Sequence, residues 1–393
     1  MLETVARRQP ETLHDPVGAF CTSTAKTRAL WLRPATAEFI VALGSALTLT
    51  PEQAASWRGP GPLLIGGLCF DERAPSSALW RAFGKGRFFV PERLITTHGE
   101  IITRASDQAP ADDDDDDGVT RTRLGLSPEG WQALVGDVAC GIRRGDLGLR
   151  KVVLARATQA RTRTSIEDAL KYLARTYPTC TIFAFASSGA CFLGATPERL
   201  VTLRAETATT MALAGSAPRG ASPDEDGAIG HRLLHDPKER TEHAVVVDAV
   251  RAALAPFSTR LMADAEPRLE KLPNVQHLCT PIRAQVKPHH GVLDLVRRLH
   301  PTPAVGGFPR EAALALIAQR EHLDRGWYAA PFGWVDAHGD GEFVVALRSG
   351  VVRDSVATLF AGCGIVGGSD PATEYAEAGW KLRPMLNAFG IAT

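Results

Sequence analysis

Ala361-Gly362-Cys363-Gly364-Ile365-Val366-Gly367-Gly368-Ser369-Asp370-Pro371 runs directly into a helix carrying Glu374, Glu377 and Lys381. Asp370 is a natural N-cap and Pro371 suits the first helical position, so the start of this helix is well determined. Glu374, Glu377 and Lys381 then share one face. The glycines before the cap let backbone approach a ligand closely, and the helix aims charge at it. Two carboxylates and an ammonium on one stripe suit a divalent cation beside an anionic substrate. Read alone, the stripe is also a solvated face with internal ion pairs.

A second helix repeats the theme. Asp236-Pro237-Lys238-Glu239-Arg240-Thr241-Glu242-His243 precedes the apolar positions Ala244 to Val247 and Val250, with Glu239 and Glu242 three apart. If the two helices point these faces into one cleft, four carboxylates converge, and so much like charge in a partly dry site is stable only around a cation. The set Glu239, Glu242, Glu374 and Glu377 therefore predicts a Mg²⁺ site. His243 has no second His or Cys at ligand spacing on its helix, which argues against zinc.

Lys151 opens the strand Lys151-Val152-Val153-Leu154-Ala155-Arg156, where alternation places it on the side of Val153 and Ala155. Glu198 follows the hairpin-like strands Thr181 to Ala186 and Cys191 to Gly194, and Arg348 ends the strand Phe343 to Leu347. A base, an acid and an anion anchor are thus available, although each is also an ordinary strand-end charge. Asn274 to Leu278 and the Pro- and Gly-rich loop His300 to Arg310 lie between the acidic helices; the loop is too rich in Pro for helix or central strand and leads into a helix from Arg310 to Gln319.

The 393 residues are 45% hydrophobic with zero formal net charge, enough apolar content for a large core and no hint of nucleic acid. Seven cysteines without CxxC spacing favour a reducing cytoplasm over a disulfide framework. No apolar N-terminal segment or membrane span is evident. Helical signals at Pro128 to Arg143, Ser165 to Thr176 and Thr241 to Leu254 stand among many short strands without regular alternation. The expected class is α+β with large antiparallel sheets. The interval 108–118, with its run Asp112 to Asp117, reads as an exposed loop without a catalytic role.

These segments, in this order, resemble the chorismate-utilising enzymes, most closely the isochorismate synthases. The matching stretches are Lys151 to Arg156, Ala195 to Leu200, Leu213 to Gly220, Lys238 to Val247, Asn274 to Leu278, His300 to Arg310, Tyr328 to Arg348 and Phe360 to Met385. The likeness is nearly continuous over 151–390 and weak over 1–120, and it implies one catalytic domain spanning 1–393, a two-sheet core flanked by helices, and a monomer. It further implies that Lys151 is the general base that activates water and Glu198 the general acid. Since an unperturbed lysine titrates near ~10.4, burial and nearby positive charge would have to lower it. Glu242 and Glu377 would ligate Mg²⁺, with Glu239 and Glu374 holding its waters. Arg348 and Tyr328 would anchor the pyruvyl carboxylate of chorismate; Lys381, Gly215, Ser216, Gly362 and Gly364 would complete the anion contacts, and His277 and Ala304 would line the ring pocket.

Branches that aminate chorismate use ammonia, and one carries a lysine nucleophile where this chain has Ala214, which excludes covalent catalysis from that position. Lys151 as a water base favours hydroxylation. The salicylate synthase branch, which continues to pyruvate elimination, shares the acid, base and metal positions; the His300 to Ala304 loop looks more like the synthase-only branch. A chorismate-binding protein without catalysis is an alternative of another class. Phosphoryl transfer is disfavoured because no G-x-x-x-x-G-K-[ST] loop is present.

Overall fold

The computed structural model describes residues 2–8, 15–59, 61–74, 77–105 and 124–392. The acidic run Asp112 to Asp117 and the interval 108–118 lie outside the described residues.

Among the described residues every strand pairing is antiparallel. The ladder runs continuously from Lys151–Arg161 through Val356–Ile365, Ser349–Arg353, Ala190–Thr196, Thr181–Ser187 and Arg28–Arg33 to Glu38–Leu49. There it passes to Gly86–Thr96 and continues through Leu63–Leu68, Pro331–Asp336, Gly341–Val345 and Arg199–Arg204 to Thr207–Pro218 and Val275–Val286. The two halves fold face to face. Phe183 of one layer meets Phe332 of the other at a ring separation of 5.2 Å, and Phe185 meets Trp327, in the turn that leads into Pro331–Asp336, at 5.1 Å. The architecture is α+β with a two-layer antiparallel core and flanking helices, as the sequence predicts.

The local signals explain the helices. Asp370 accepts from Thr373 N at 2.9 Å and opens the helix Pro371–Ala388; Asp236 accepts from Glu239 N at 2.9 Å and opens Pro237–Leu254, which starts four residues before the expected Thr241. Ser127 and Ser165 cap Pro128–Arg144 and Ile166–Thr176 in the same way. The strand from Lys151 extends to Arg161, and the helix after the Pro-rich loop covers Arg310–Arg320. The strand expected to end at Leu347 ends at Val345; Arg348 instead sits in the connection to Ser349–Arg353 with φ of 49°.

A buried ion pair ties this core to the loop before it. Arg325, 3% exposed, donates to Glu321, 1% exposed, at 2.7 Å through Nε, and its other nitrogens donate to Val305 O and Val153 O at 2.9 and 2.7 Å. Glu321 also accepts from Ala155 N at 2.7 Å. Neither residue stands out in the sequence. Glu321→Ala leaves a guanidinium buried without its counter-ion and is expected to cost about 3–5 kcal/mol in urea unfolding.

Candidate active site

The pairing of Lys151–Arg161 with Val356–Ile365 sets one wall of a cavity. Val153 stands opposite Gly364 and Ala155 opposite Gly362, so both glycines share a face with Lys151. A Cβ at Gly364 would lie 2.7 Å from Lys151 Cε and 2.8 Å from Glu242 Oε1, so a larger residue would push these side chains apart. On the other edge, Phe308 pairs with Lys151 and Gly307 with Val152, which brings the His300 to Arg310 loop and Ala304 to the same opening.

The opposite wall uses a β-bulge. Pairing of Thr207–Pro218 with Val275–Val286 shifts between Ala214 and Ser216, leaving Gly215 at φ of 79° and setting Ser216 opposite His277. Ser216 Oγ lies 2.8 Å from His277 Nδ1, which is also 3.3 Å from Gly215 O, and Arg348 Nη2 donates to His277 Nε2 at 3.4 Å. Burial foremost, then Arg348 and Lys381, hold His277 well below its usual range, so the ring is neutral. With Nε2 accepting, the proton sits on Nδ1. Arg348 is 7% exposed, its Nε has no hydrogen-bond partner, and it makes no ion pair among the described residues. A buried guanidinium with a free donor is suited to a carboxylate from a ligand.

All the residues singled out from the sequence face this one cavity: Lys151, Glu198, Gly215, Ser216, Glu239, Glu242, His277, Ala304, Tyr328, Arg348, Gly362, Gly364, Glu374, Glu377 and Lys381. It encloses about 790 Å³, open solvent included. Lys238 and Arg325 also line it, and the sequence alone assigns neither a role.

Glu198 is pinned by its backbone: its N–H donates to Thr196 Oγ1 at 3.2 Å and its carbonyl accepts from Val345 N at 3.0 Å. Burial pushes its carboxyl up to about 7, against the pull of Lys151, Arg348 and Lys381. Lys151 is 2% exposed and its Nζ meets Glu242 Oε1 at 2.7 Å. The expected neighbour of Lys151 was positive charge; the structure puts a carboxylate against it. Tyr328 stacks on Phe360 at 5.1 Å, and burial pushes its hydroxyl up to about 12, so it stays a neutral donor.

The acidic set fits a hard divalent cation. Burial and then Glu242 push Glu239 up to about 7, and burial and then Glu377 raise Glu374. Burial works to raise Glu242, but Lys151 outweighs it and holds Glu242 below the usual range. These carboxylates repel one another in a poorly hydrated place, a condition that oxygen-ligated Mg²⁺ relieves. Lys381 contacts Glu377 at 2.5 Å and Gly362 O at 3.3 Å. Cys363 Sγ shares a 4.8 Å neighbourhood with carboxylate oxygens of Glu374 and Glu377, but burial holds it as a thiol, donating to Glu374 O at 3.1 Å. His243 binds Ala214 O at 3.2 Å and Thr280 Oγ1 at 2.7 Å, so both ring nitrogens are used within the fold.

The profile of the chorismate binding enzyme family matches residues 101–390. The salicylate biosynthesis isochorismate synthase of Pseudomonas aeruginosa is 43% identical over 360 residues, spanning 84% of this chain and 75% of that protein. The isochorismate synthase MenF of Bacillus subtilis is 36% identical over 371 residues, 88% of this chain and 78% of its own. Among solved structures, the menaquinone-specific isochorismate synthase MenF of Escherichia coli superposes with a TM-score of 0.82 at 25% identity, covering 98% of this chain and 95% of that one.

Proposed function

Because the chain belongs to the chorismate binding enzymes, we propose that it is an isochorismate synthase, adding water at C2 of chorismate and expelling the C4 hydroxyl. The observation that carries this reading is a buried carboxyl kept protonated to about pH 7, Glu198, in the same cavity as buried Lys151 and the unpaired guanidinium of Arg348.

Lys151 takes a proton from water as its oxygen bonds to C2. Both ring double bonds shift in turn, C1=C2 to C1=C6 and C5=C6 to C4=C5, and the C4–O bond breaks as Glu198 gives its proton to the departing hydroxyl. One water enters and one leaves, so the reaction is an isomerisation. Arg348 and the Tyr328 hydroxyl hold the pyruvyl carboxylate. Ser216 Oγ accepts from His277 Nδ1–H and keeps its own proton to donate into the cavity, beside the backbone at Gly362 and Gly364. Lys381 fixes Glu377, and Ala304 borders the ring. Mg²⁺ held by Glu242 and Glu377, with Glu239 and Glu374 behind them, would supply a positive clamp for the ring carboxylate. Ala214 offers no amine nucleophile, which is consistent with water rather than a covalent route.

We read the chain as one catalytic unit, working as a cytoplasmic monomer. All seven cysteines are free, in keeping with a reducing compartment, and no helix among the described residues is long and apolar enough to cross a membrane.

The test is to incubate the protein with chorismate and Mg²⁺, with and without ammonium, and separate the products. Isochorismate in equilibrium with chorismate supports the reading. Salicylate with pyruvate would move the protein to the lyase-coupled branch, and no product would leave a binding protein. Chelation should abolish turnover and Mg²⁺ restore it, while Glu242→Gln should raise the Mg²⁺ needed for half-maximal rate by at least about tenfold. An unchanged requirement would remove Glu242 from the metal site.

A further inference from the structure

Three lysine side chains face the four carboxylates, and they are held differently. Lys151 sits 2.7 Å from Glu242 and Lys381 2.5 Å from Glu377, with side chains only 3% and 12% exposed. Lys238 is 3.7 Å from both Glu239 and Glu374, and its side chain is 43% exposed. It has no shorter ion pair among the described residues, so it is held by charge and not locked by a close hydrogen bond. The carboxylates of Glu374, Glu239, Glu242 and Glu377 all act on it.

Its position on the helix is unfavourable on other grounds. Lys238 follows Pro237 in the first turn of Pro237–Leu254, where the helix dipole opposes a cation. The acidic cluster is what makes an ammonium favourable there. A divalent cation among the same oxygens would repel it over a few ångströms, and its flexible, half-exposed stem gives it a route out to water.

We propose that Lys238 is a resident stand-in for the metal: its ammonium neutralises the Glu239 and Glu374 carboxylates in the metal-free protein and moves to solvent when a divalent cation enters. This rests on the metal reading above. Lys151 and Lys381 stay, because both are buried and closely paired. Lys238 thus lowers the affinity for the metal while protecting the empty site from its own repulsion.

The experiment is calorimetric titration of Mg²⁺ into the full chain stripped of metal, for the unaltered protein, Lys238→Met and Lys238→Arg, with thermal melts in chelator and in saturating Mg²⁺. Lys238→Met should bind Mg²⁺ about tenfold more tightly, melt lower in chelator, and gain more from Mg²⁺ than the unaltered protein. Lys238→Arg should behave like the unaltered protein. Equal or weaker Mg²⁺ binding by Lys238→Met overturns the proposal, and weaker chorismate binding with it would make Lys238 a substrate anchor. Absence of Mg²⁺ binding by the unaltered protein would remove the metal reading itself.

Discussion

Lys151→Ala is expected to lower turnover of chorismate by about a hundred- to ten-thousandfold while chorismate still binds. Other bases in the cavity are poorly placed to replace it. The neutral His277 already uses Nε2 to accept from Arg348, and Lys381 is tied to Glu377. The substitution also strips Glu242 of its 2.7 Å partner, so a loss of activity could arise through the metal site. Two measurements separate these causes. Turnover should stay low at saturating Mg²⁺, and small primary amines that fit the vacated space should restore part of it in a pH-dependent way. Unaltered turnover would remove Lys151 from the mechanism.

Glu198→Gln should have an effect of similar size, with a distinctive pH signature. A general acid works only when protonated. Burial places the Glu198 carboxyl at about 7 in the free protein, so kcat/KM should be sustained below that value and fall as pH rises through it. An amide keeps the shape and much of the hydrogen bonding but has no proton to give. The residual rate of Glu198→Gln should therefore lack the limb near pH 7. Persistence of that limb in the variant would assign it to another group, and Glu239, also near 7, is the first to examine.

How much of the site is legible in the sequence follows the range of the interactions. The caps at Asp370 and Asp236 are local, so the faces carrying Glu374, Glu377, Glu239 and Glu242 can be drawn from residue spacing alone. That those faces meet depends on contacts between distant segments, and in the sequence only the ordered resemblance suggests it. Arg348 reads as the end of a strand; its positive φ reflects the turn between Val345 and Ser349, which no alternation pattern encodes. Glu321 and Arg325 lie beyond the end of the helix Arg310–Arg320, so their spacing carries no helix-face signal, and their bonds to Val153, Ala155 and Val305 depend on tertiary packing. Lys238 escapes notice because in sequence it is one more charge on a polar helix start.

The antiparallel partnership between Lys151–Arg161 and Val356–Ile365 joins segments about two hundred positions apart, and the last helix supplies two of the four acids. During synthesis at the ribosome, the strand from Lys151 stays unjoined to the rest of its layer until Ser349–Arg353 and Val356–Ile365 have emerged. The proposed chemistry then waits until the helix Pro371–Ala388 docks, so a chain cut before it lacks a complete centre. The same long-range pairing makes folding slower than local contacts would allow, and it leaves the edge beside Lys151 open to wrong partners until its true neighbour is made.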